Sequence, residues 1–396
     1  MRVLKNAVIV SASRTPVGKM GGELKDVHAA DLGAIAIRSA VEKVGISGDV
    51  VDEVVMGCVG QVAENAFIAR MCALRAGLPT SSNAYTVNRL CGSGLQAINT
   101  AVQQIQADQA DVVVAGGTEN MDLLPYYVRH ARYGYRMGHA QLEDGLVTAL
   151  TDPFGQYHMG ITAENVAEKY GISREEQDRF ALESQQKAVH AIESGYFKEE
   201  IVPVEVKDKK GNVTVVDTDE HPRKGVTLEK LSKMKPAFKE GGTVTAANAS
   251  GVNSGAAALV IMSEEKAQEL NLQPIAVIRE QAVAGVDPEI MGYAPTPAVN
   301  KLLNKTGIQA KEIDLVELNE AFAAQSVAVL NDLDFDRSIV NVNGGAIALG
   351  HPIGASGAII TVKLLHELKR RKAKRGISTL CIGGGQGIAT LFEMTN

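Results

Sequence analysis

The sequence has 396 residues, 45% of them hydrophobic and 22% charged, which excludes a disordered chain and leads us to expect two or three packed domains. A formal net charge of −6, 4% aromatic residues and no tryptophan argue against a nucleic-acid binder or a base-stacking platform. Four cysteines without a C-x-x-C pair argue against a disulfide framework or a zinc knuckle, and no apolar run reaches membrane-spanning length.

In chain order, β-rich runs are expected at Asn6–Ser11, Asp52–Gly57, Ala84–Val87 and Asp111–Ala115, with helices at Ala29–Val44 and Leu95–Gln106 between them. A second series has strands at Ile275–Glu280, Asp314–Leu318, Ser338–Val342 and Ser378–Ile382, with helices at Pro297–Lys305 and Ala358–Arg370. Strands alternating with helices make the fold class α/β. The two series also share a landmark. Val87-Asn88 precedes Cys91-Gly92-Ser93-Gly94 and a helix, and Val342-Asn343 precedes Gly354-Ala355-Ser356-Gly357 and a helix. The chain therefore reads as two similar α/β halves. Between them, roughly Asn120 to Gly242, lies a segment too long for a simple connection, with helices expected at Ile161–Lys169 and Arg174–Ser194. Ser173-Arg-Glu-Glu is a capping-box signature for the second of these. The same segment carries a basic stretch, Arg223 to Glu240, with six Lys/Arg against two Glu. That stretch is either a solvated surface or a seat for a phosphorylated small molecule. The basic run Lys369 to Arg375 ends a helix, where positive charge needs no ligand.

Four places carry chemistry. Cys91 follows a strand and opens a helix, so free N–H groups and the helix dipole are expected to favour its thiolate; the alternative is a buried structural cysteine. His351 lies in the glycine-rich Gly350-His351-Pro352-Ile353-Gly354, as a base near neutral pH or as a surface histidine. Cys381 precedes Gly383-Gly384-Gly385, whose backbone N–H groups suit developing negative charge better than a dinucleotide, since no G-x-G-x-x-G turn opens the N-terminal half. Asn319 is an oxyanion donor or a helix cap. These residues permit a thiol nucleophile with a histidine base and leave the electrophile open.

Taken together and in order, Cys91 in Cys-Gly-Ser-Gly, Asn319-Glu320-Ala321-Phe322, Gly350-His351-Pro352-Ile353-Gly354 and Cys381-Ile382-Gly383-Gly384-Gly385 resemble the thiolases nearly end to end, most of all the biosynthetic acetoacetyl-CoA type. The resemblance implies a thiolase-like fold: two similar α/β domains with mixed five-stranded sheets layered with helices, plus an inserted loop domain. Residues 1–119 and 243–271 would form the N-terminal domain, 120–242 the loop domain over CoA, and 272–396 the C-terminal domain. It implies that Cys91 becomes acetylated, that His351 takes its proton, and that Cys381 is the second acid/base. His351 and a water on Asn319 would form one oxyanion hole, and the N–H groups of Cys91 and Gly383 the other. The chemistry would be ping-pong condensation of two acetyl-CoA into acetoacetyl-CoA and CoA, and its reverse. A cysteine at 381 separates the chain from decarboxylating ketoacyl synthases, which use a second histidine there.

The same resemblance implies His158, Met159, Met291 and Phe322 around the acyl group, Ser250 on the pantetheine arm and Arg223 near the adenine and phosphate end of CoA. For both methionines the plain alternative is core packing. It implies no permanently bound cofactor and no metal, with coenzyme A and acetyl-CoA as substrates, and a homo-oligomer, at least a dimer and commonly a tetramer. It implies no nucleic acid and no membrane. A cytoplasmic location is expected. Gln61 to Arg70 departs from the glycine- and glutamine-containing version of this segment, which puts chain-length preference in doubt more than reaction class. The competing readings are a broader degradative 3-ketoacyl-CoA thiolase and, in another class, a non-catalytic acyl-CoA-binding protein.

Overall fold

In the computed structural model, residues 5–395 are described. The readings made on the first four residues and on Asn396 lie outside them. The strands of the main sheet are β1 (Ala7–Arg14), β2 (Glu53–Gly57), β3 (Asn83–Val87), β4 (Val112–Asn120), β5 (Asn253–Ser263), β6 (Ala276–Gly285), β7 (Leu315–Leu318), β8 (Arg375–Ile382) and β9 (Gln386–Met394). The principal helices are α1 (Ala29–Val44), α2 (Ile68–Arg75), α3 (Ser93–Gln106), α4 (Met159–Tyr170), α5 (Arg174–Glu193), α6 (Pro295–Thr306), α7 (Ala323–Asp332) and α8 (Ser356–Arg371).

The strand order is β7-β8-β9-β6-β1-β5-β4-β2-β3, with a tenth, two-residue strand Gly18–Lys19 pairing antiparallel with the start of β5, and it contains one plan twice. In the first half β3, β2 and β4 are parallel neighbours, and β5 and β1 follow antiparallel. In the second half β7 and β8 are parallel, and β9 and β6 follow antiparallel. The place equivalent to β3 is taken by a single parallel bridge from Val340 to Val316. The strand expected at Ser338–Val342 is thus reduced to that bridge after a 3-10 turn at Arg337–Ile339, because Asp336 caps the turn and curls the backbone out of the ladder. The halves meet where β1 pairs with β6, through Val8 to Val277 and Ile9 to Ala276.

Two strands escape the sequence pattern, β5 and β9. Both are almost wholly buried, so they lack the alternation that marks a half-exposed strand. Helices α3 and α8 lie between the two sheet halves, sharing one core with residues of β1, β4, β5, β8 and β9. Helices α1 and α2 cover the outer face of the first half, and α6 and α7 that of the second.

At the centre the repeated Ser-Gly pairs explain themselves. A Cβ on Gly94 would lie 2.7 Å from the backbone nitrogen of Ala358, and one on Gly357 would run into the backbone nitrogen of Leu95. The first turns of α3 and α8 therefore pack on each other in a pseudo-twofold way that only glycine allows.

Between β4 and β5 runs the long insertion. Its helix α5 starts with the capping box formed by Ser173 and Glu176. It is tied to the sheet by Arg14, which is 1% exposed and donates to Glu200 at 2.7 Å and to both oxygens of Asp219 at 2.7 and 2.9 Å. A buried charge of this kind holds only because each N–H fork meets a carboxylate. Among the described residues no helix is long and apolar enough to cross a membrane.

Candidate active site

β3 ends at Val87, and α3 begins at Ser93 after five intervening residues. The intervening elbow is held by Ser93, whose hydroxyl donates to the Leu90 carbonyl at 2.6 Å and accepts the Arg89 N–H at 2.9 Å. Leu90 is left with φ of +44°, a left-handed conformation that a leucine adopts only when its surroundings enforce it. The result presents Cys91 at the mouth of a cavity of about 270 Å³.

Cys91, His351, His158, Met159, Ser250, Met291, Phe322 and Gly383 all line this one cavity. The structure therefore assembles most of the site residues expected from sequence. Cys381 lies behind it, buried in an apolar cluster with Met291, Ala321 and Phe322. Asn319 is also buried, and both ends of its amide lack a hydrogen-bond partner among the described residues. It lines a void of about 10 Å³ together with Gly350 and Ser356, roughly the room one water needs. Asn319 is not a helix cap, since α7 starts four residues later at Ala323. Arg223 is not brought to the cavity. It borders a separate groove with Gln185, His190 and Glu193, and its backbone N–H donates to Gln185.

The electrostatics correct one expectation. Burial raises the Cys91 thiol to about 11, outweighing the backbone N–H groups of Gly383 and of Cys91 itself that pull it down. The resting group is a neutral thiol and not the thiolate expected from the helix terminus. Cys381 is likewise pushed up, by burial and then by the neighbouring Cys91.

His351 is fixed in a definite state. Its Nδ1 lies 2.6 Å from the Ser356 hydroxyl, which itself donates to the Pro352 carbonyl at 2.8 Å. With that hydroxyl proton engaged, Nδ1 must be the donor, so Nε2 carries the lone pair. Nε2 has no partner among the described residues, and burial lowers the ring to about 4, so it is neutral. Asn253 holds the loop by accepting the His351 N–H at 2.9 Å. His158 is the opposite tautomer. Its Nδ1 accepts the Gly160 N–H at 3.0 Å as the cap of α4, so the neutral ring carries its proton on Nε2. It stacks on Phe238 at 4.8 Å, and Phe238 meets Phe322 edge-on.

Sequence reasoning missed Phe238, Leu150, Met121 and Ile353 as cavity walls, and Ser356 and Asn253 as supports of His351. Ser356 alone left a signal, five residues after the histidine in the repeated Ser-Gly landmark. The cavity combines a protonated thiol, an unprotonated ring nitrogen and a mainly apolar wall. That suits acyl transfer to sulfur from a thioester with a slender, weakly polar arm. Among the described residues no group of three His, Cys, Asp or Glu is placed to hold a metal ion.

Comparison with known proteins agrees with this architecture. Residues 7–265 match the family described as thiolase, N-terminal domain, and residues 272–394 match thiolase, C-terminal domain. An acetyl-CoA acetyltransferase of Syntrophomonas wolfei is 54% identical over 394 residues, covering 98% of this chain and 99% of its own. The crystal structure of the Bacillus anthracis acetyl-CoA acetyltransferase superposes with a TM-score of 0.98 at 49% identity, over the whole of both chains. That of human mitochondrial 3-ketoacyl-CoA thiolase gives 0.96 at 48% identity, again over both whole chains.

Proposed function

The chain belongs to the thiolase family and is an acyltransferase acting on acyl-CoA thioesters, and from that premise we propose that it is an acetyl-CoA C-acetyltransferase working through an acetyl-cysteine at Cys91. The observation that carries this reading is the pairing, in one cavity, of the neutral Cys91 thiol with a His351 whose free lone pair is on Nε2. As Cys91 Sγ attacks the thioester carbonyl, His351 Nε2 takes the thiol proton, so that thiolate forms only as it is consumed. The C–S bond to CoA breaks, and the departing CoA sulfur takes the proton of the Cys381 thiol, which leaves Cys381 as the thiolate and His351 with its new proton on Nε2. The N–H groups of Cys91 and Gly383 point at the sulfur, and in this reading they hold the oxyanion of the adduct.

In the second half-reaction the Cys381 thiolate left by the first takes a proton from the methyl carbon of a second acetyl-CoA. The new carbon–carbon bond forms at the acetyl carbonyl, the bond to Cys91 breaks, the Cys91 sulfur takes the proton back from His351 Nε2, and acetoacetyl-CoA leaves. The enolate oxygen falls to the Nε2–H of His351, which still carries the proton taken from Cys91, and to a water on the unpartnered Asn319 amide. His158 presents its Nε2–H to the same space.

A cavity of about 270 Å³, walled by Met159, Met291 and Phe322, favours a short acyl group. The degradative 3-ketoacyl-CoA reading is the second one, favoured by the likeness to the human mitochondrial structure. The test is CoA-dependent cleavage of 3-ketoacyl-CoA substrates of four to sixteen carbons, beside Cys91→Ala. Cleavage confined to acetoacetyl-CoA and lost in the variant supports the acetyltransferase. Equal or faster cleavage of long chains moves the protein to the degradative type, and none at all leaves a binding protein.

A homo-oligomer belongs to the same reading. β3 ends the sheet with one edge unpaired, beside exposed Phe67, and the hairpin Tyr126–Tyr127 with Glu143–Asp144 carries Tyr133 at 94% and Met137 at 95% exposure. The departing segment Gln61 to Arg70 forms the 3-10 turn and start of α2 next to this edge, where Arg70 donates to the carbonyls of Thr80 and Ser82. A cytoplasmic location fits four unpaired cysteines.

A further inference from the structure

We propose that Glu119 is a positioning residue for the reaction, whose ionised carboxylate clamps the loop carrying His351 to the half of the molecule carrying Cys91. The proposal rests on the assignment of those two residues above. Glu119 lies near the end of β4 and is 1% exposed. It accepts the backbone N–H groups of Val59 at 2.9 Å and Gly60 at 3.0 Å, both from the turn after β2 in the first half. It also accepts the N–H of Gly354 at 2.9 Å, from the second half, three residues after His351. The Cys58 thiol donates to it at 3.4 Å.

Every group facing the carboxylate is therefore a donor, three N–H and one S–H. A protonated acid would need an acceptor for its own proton and finds none among these contacts. Burial raises the Glu119 carboxyl above its ordinary value, and the three backbone N–H groups and the thiol offset that in part, each favouring the charged form. The glycines admit the carboxylate: a Cβ on Gly354 would lie 2.5 Å from one oxygen, and a Cβ on Gly60 2.9 Å from the other.

The clamp bears on geometry at the point where precision matters. Ser356 and Asn253 fix the ring and the start of the His351 loop, but neither ties the loop to the Cys91 half at its far end. Glu119 does so through Gly354, adjacent to Ile353 in the cavity wall. Its charge also reaches Cys91, raising the thiol. Loosening the clamp lets base and thiol drift apart, and a displacement near 1 Å is worth about 100-fold in rate.

The experiment is Glu119→Gln in the full-length enzyme, with thermal unfolding, kcat and KM for acetoacetyl-CoA cleavage, and the pH dependence of iodoacetamide alkylation at Cys91 located by mass spectrometry. The expected result is a folded protein with KM within a few-fold of the parent and kcat lower by about 100-fold. Its Cys91 alkylation curve moves to lower pH, since a negative charge has left. Parental kcat and an unmoved curve overturn the proposal. So does a kcat loss matched by a large KM rise and early unfolding, which is general damage. If Glu119→Gln does not fold, Gly354→Ala strains the same contact from the other side and is expected to lower kcat with KM retained; parental kcat there overturns the proposal. Cys91→Ala separates the two readings. An inert Cys91→Ala beside a parental Glu119→Gln sinks the clamp alone, whereas an active Cys91→Ala sinks the catalytic assignment on which it rests.

Discussion

The imidazole of His351 and the hydroxyl of Ser356 are 2.6 Å apart, and that contact determines which ring nitrogen is free to act as a base. Ser356 also belongs to the Ser-Gly pair at the start of α8, so the residue that begins the helix also orients the base.

Replacing Ser356 by alanine therefore releases the tautomer without touching substrate. The expected effect is a fall in kcat of about 10- to 100-fold, in the range for partners that orient a functional imidazole, with KM little changed. Steady-state kinetics checks it, and a parental kcat would show that the ring finds its state unaided.

Because Cys91 rests as a thiol raised to about 11, its alkylation by a neutral reagent has no plateau near pH 7. The rate is expected to climb about tenfold per pH unit from neutrality toward that value, following the thiolate fraction. A plateau near neutral pH, the mark of a preformed thiolate–imidazolium pair, is the contrary result.

Stability should decline in acid for a definable reason. Burial holds His351 at about 4 against an ordinary value of 6.5, so between these pH values the unfolded chain binds a proton that the folded one refuses. A depressed histidine value makes this contribution fully present above pH 6.5 and lost as pH falls toward 4. It amounts to about 3 kcal/mol at most. Urea unfolding across this range is the measurement, and His351→Gln is expected to flatten the slope.

Met159 lines the cavity and approaches the position a Cβ on Gly383 would take, 3.2 Å away, so it is the residue expected to limit chain length. Met159→Ala is expected to raise the preference for six-carbon over four-carbon 3-ketoacyl-CoA by about tenfold in kcat/KM. An unchanged ratio would place the limit on Met291 or Phe322.

Gly357→Ala is expected to destabilise the protein by about 1–3 kcal/mol, because the new methyl meets the backbone of α3 and nothing flexible can yield. The unfolding midpoint reports it, and Gly94→Ala is the mirror test.

Most of the architecture was legible because α1 and α3 carry one-sided apolar faces with clear ends, and their observed limits lie within two residues of those expected. β5 and β9 were not, because a strand buried on both faces has no period to read. The thiol state of Cys91 was misjudged because the local helix terminus is visible in sequence, whereas the burial that outweighs it is contributed by residues remote in the chain. Phe238 stayed hidden for the same reason: it lies eighty residues from the histidine on which it stacks. Arg223, expected near the nucleotide end of CoA and not at the acyl group, borders a groove apart from the Cys91 cavity.

The strand order has a last consequence, for the way the molecule is made. β5 lies inside the first half of the sheet, between β1 and β4, yet it is synthesised only after the whole insertion. β9, inside the second half, comes later still. A growing chain thus carries Cys91 for a long interval on a sheet with open edges, and those edges are a hazard for misassembly that a chaperone would shield. On the proposed reading, the cysteine is translated early and becomes reactive late, since its base and its clamp would close only when both halves are complete.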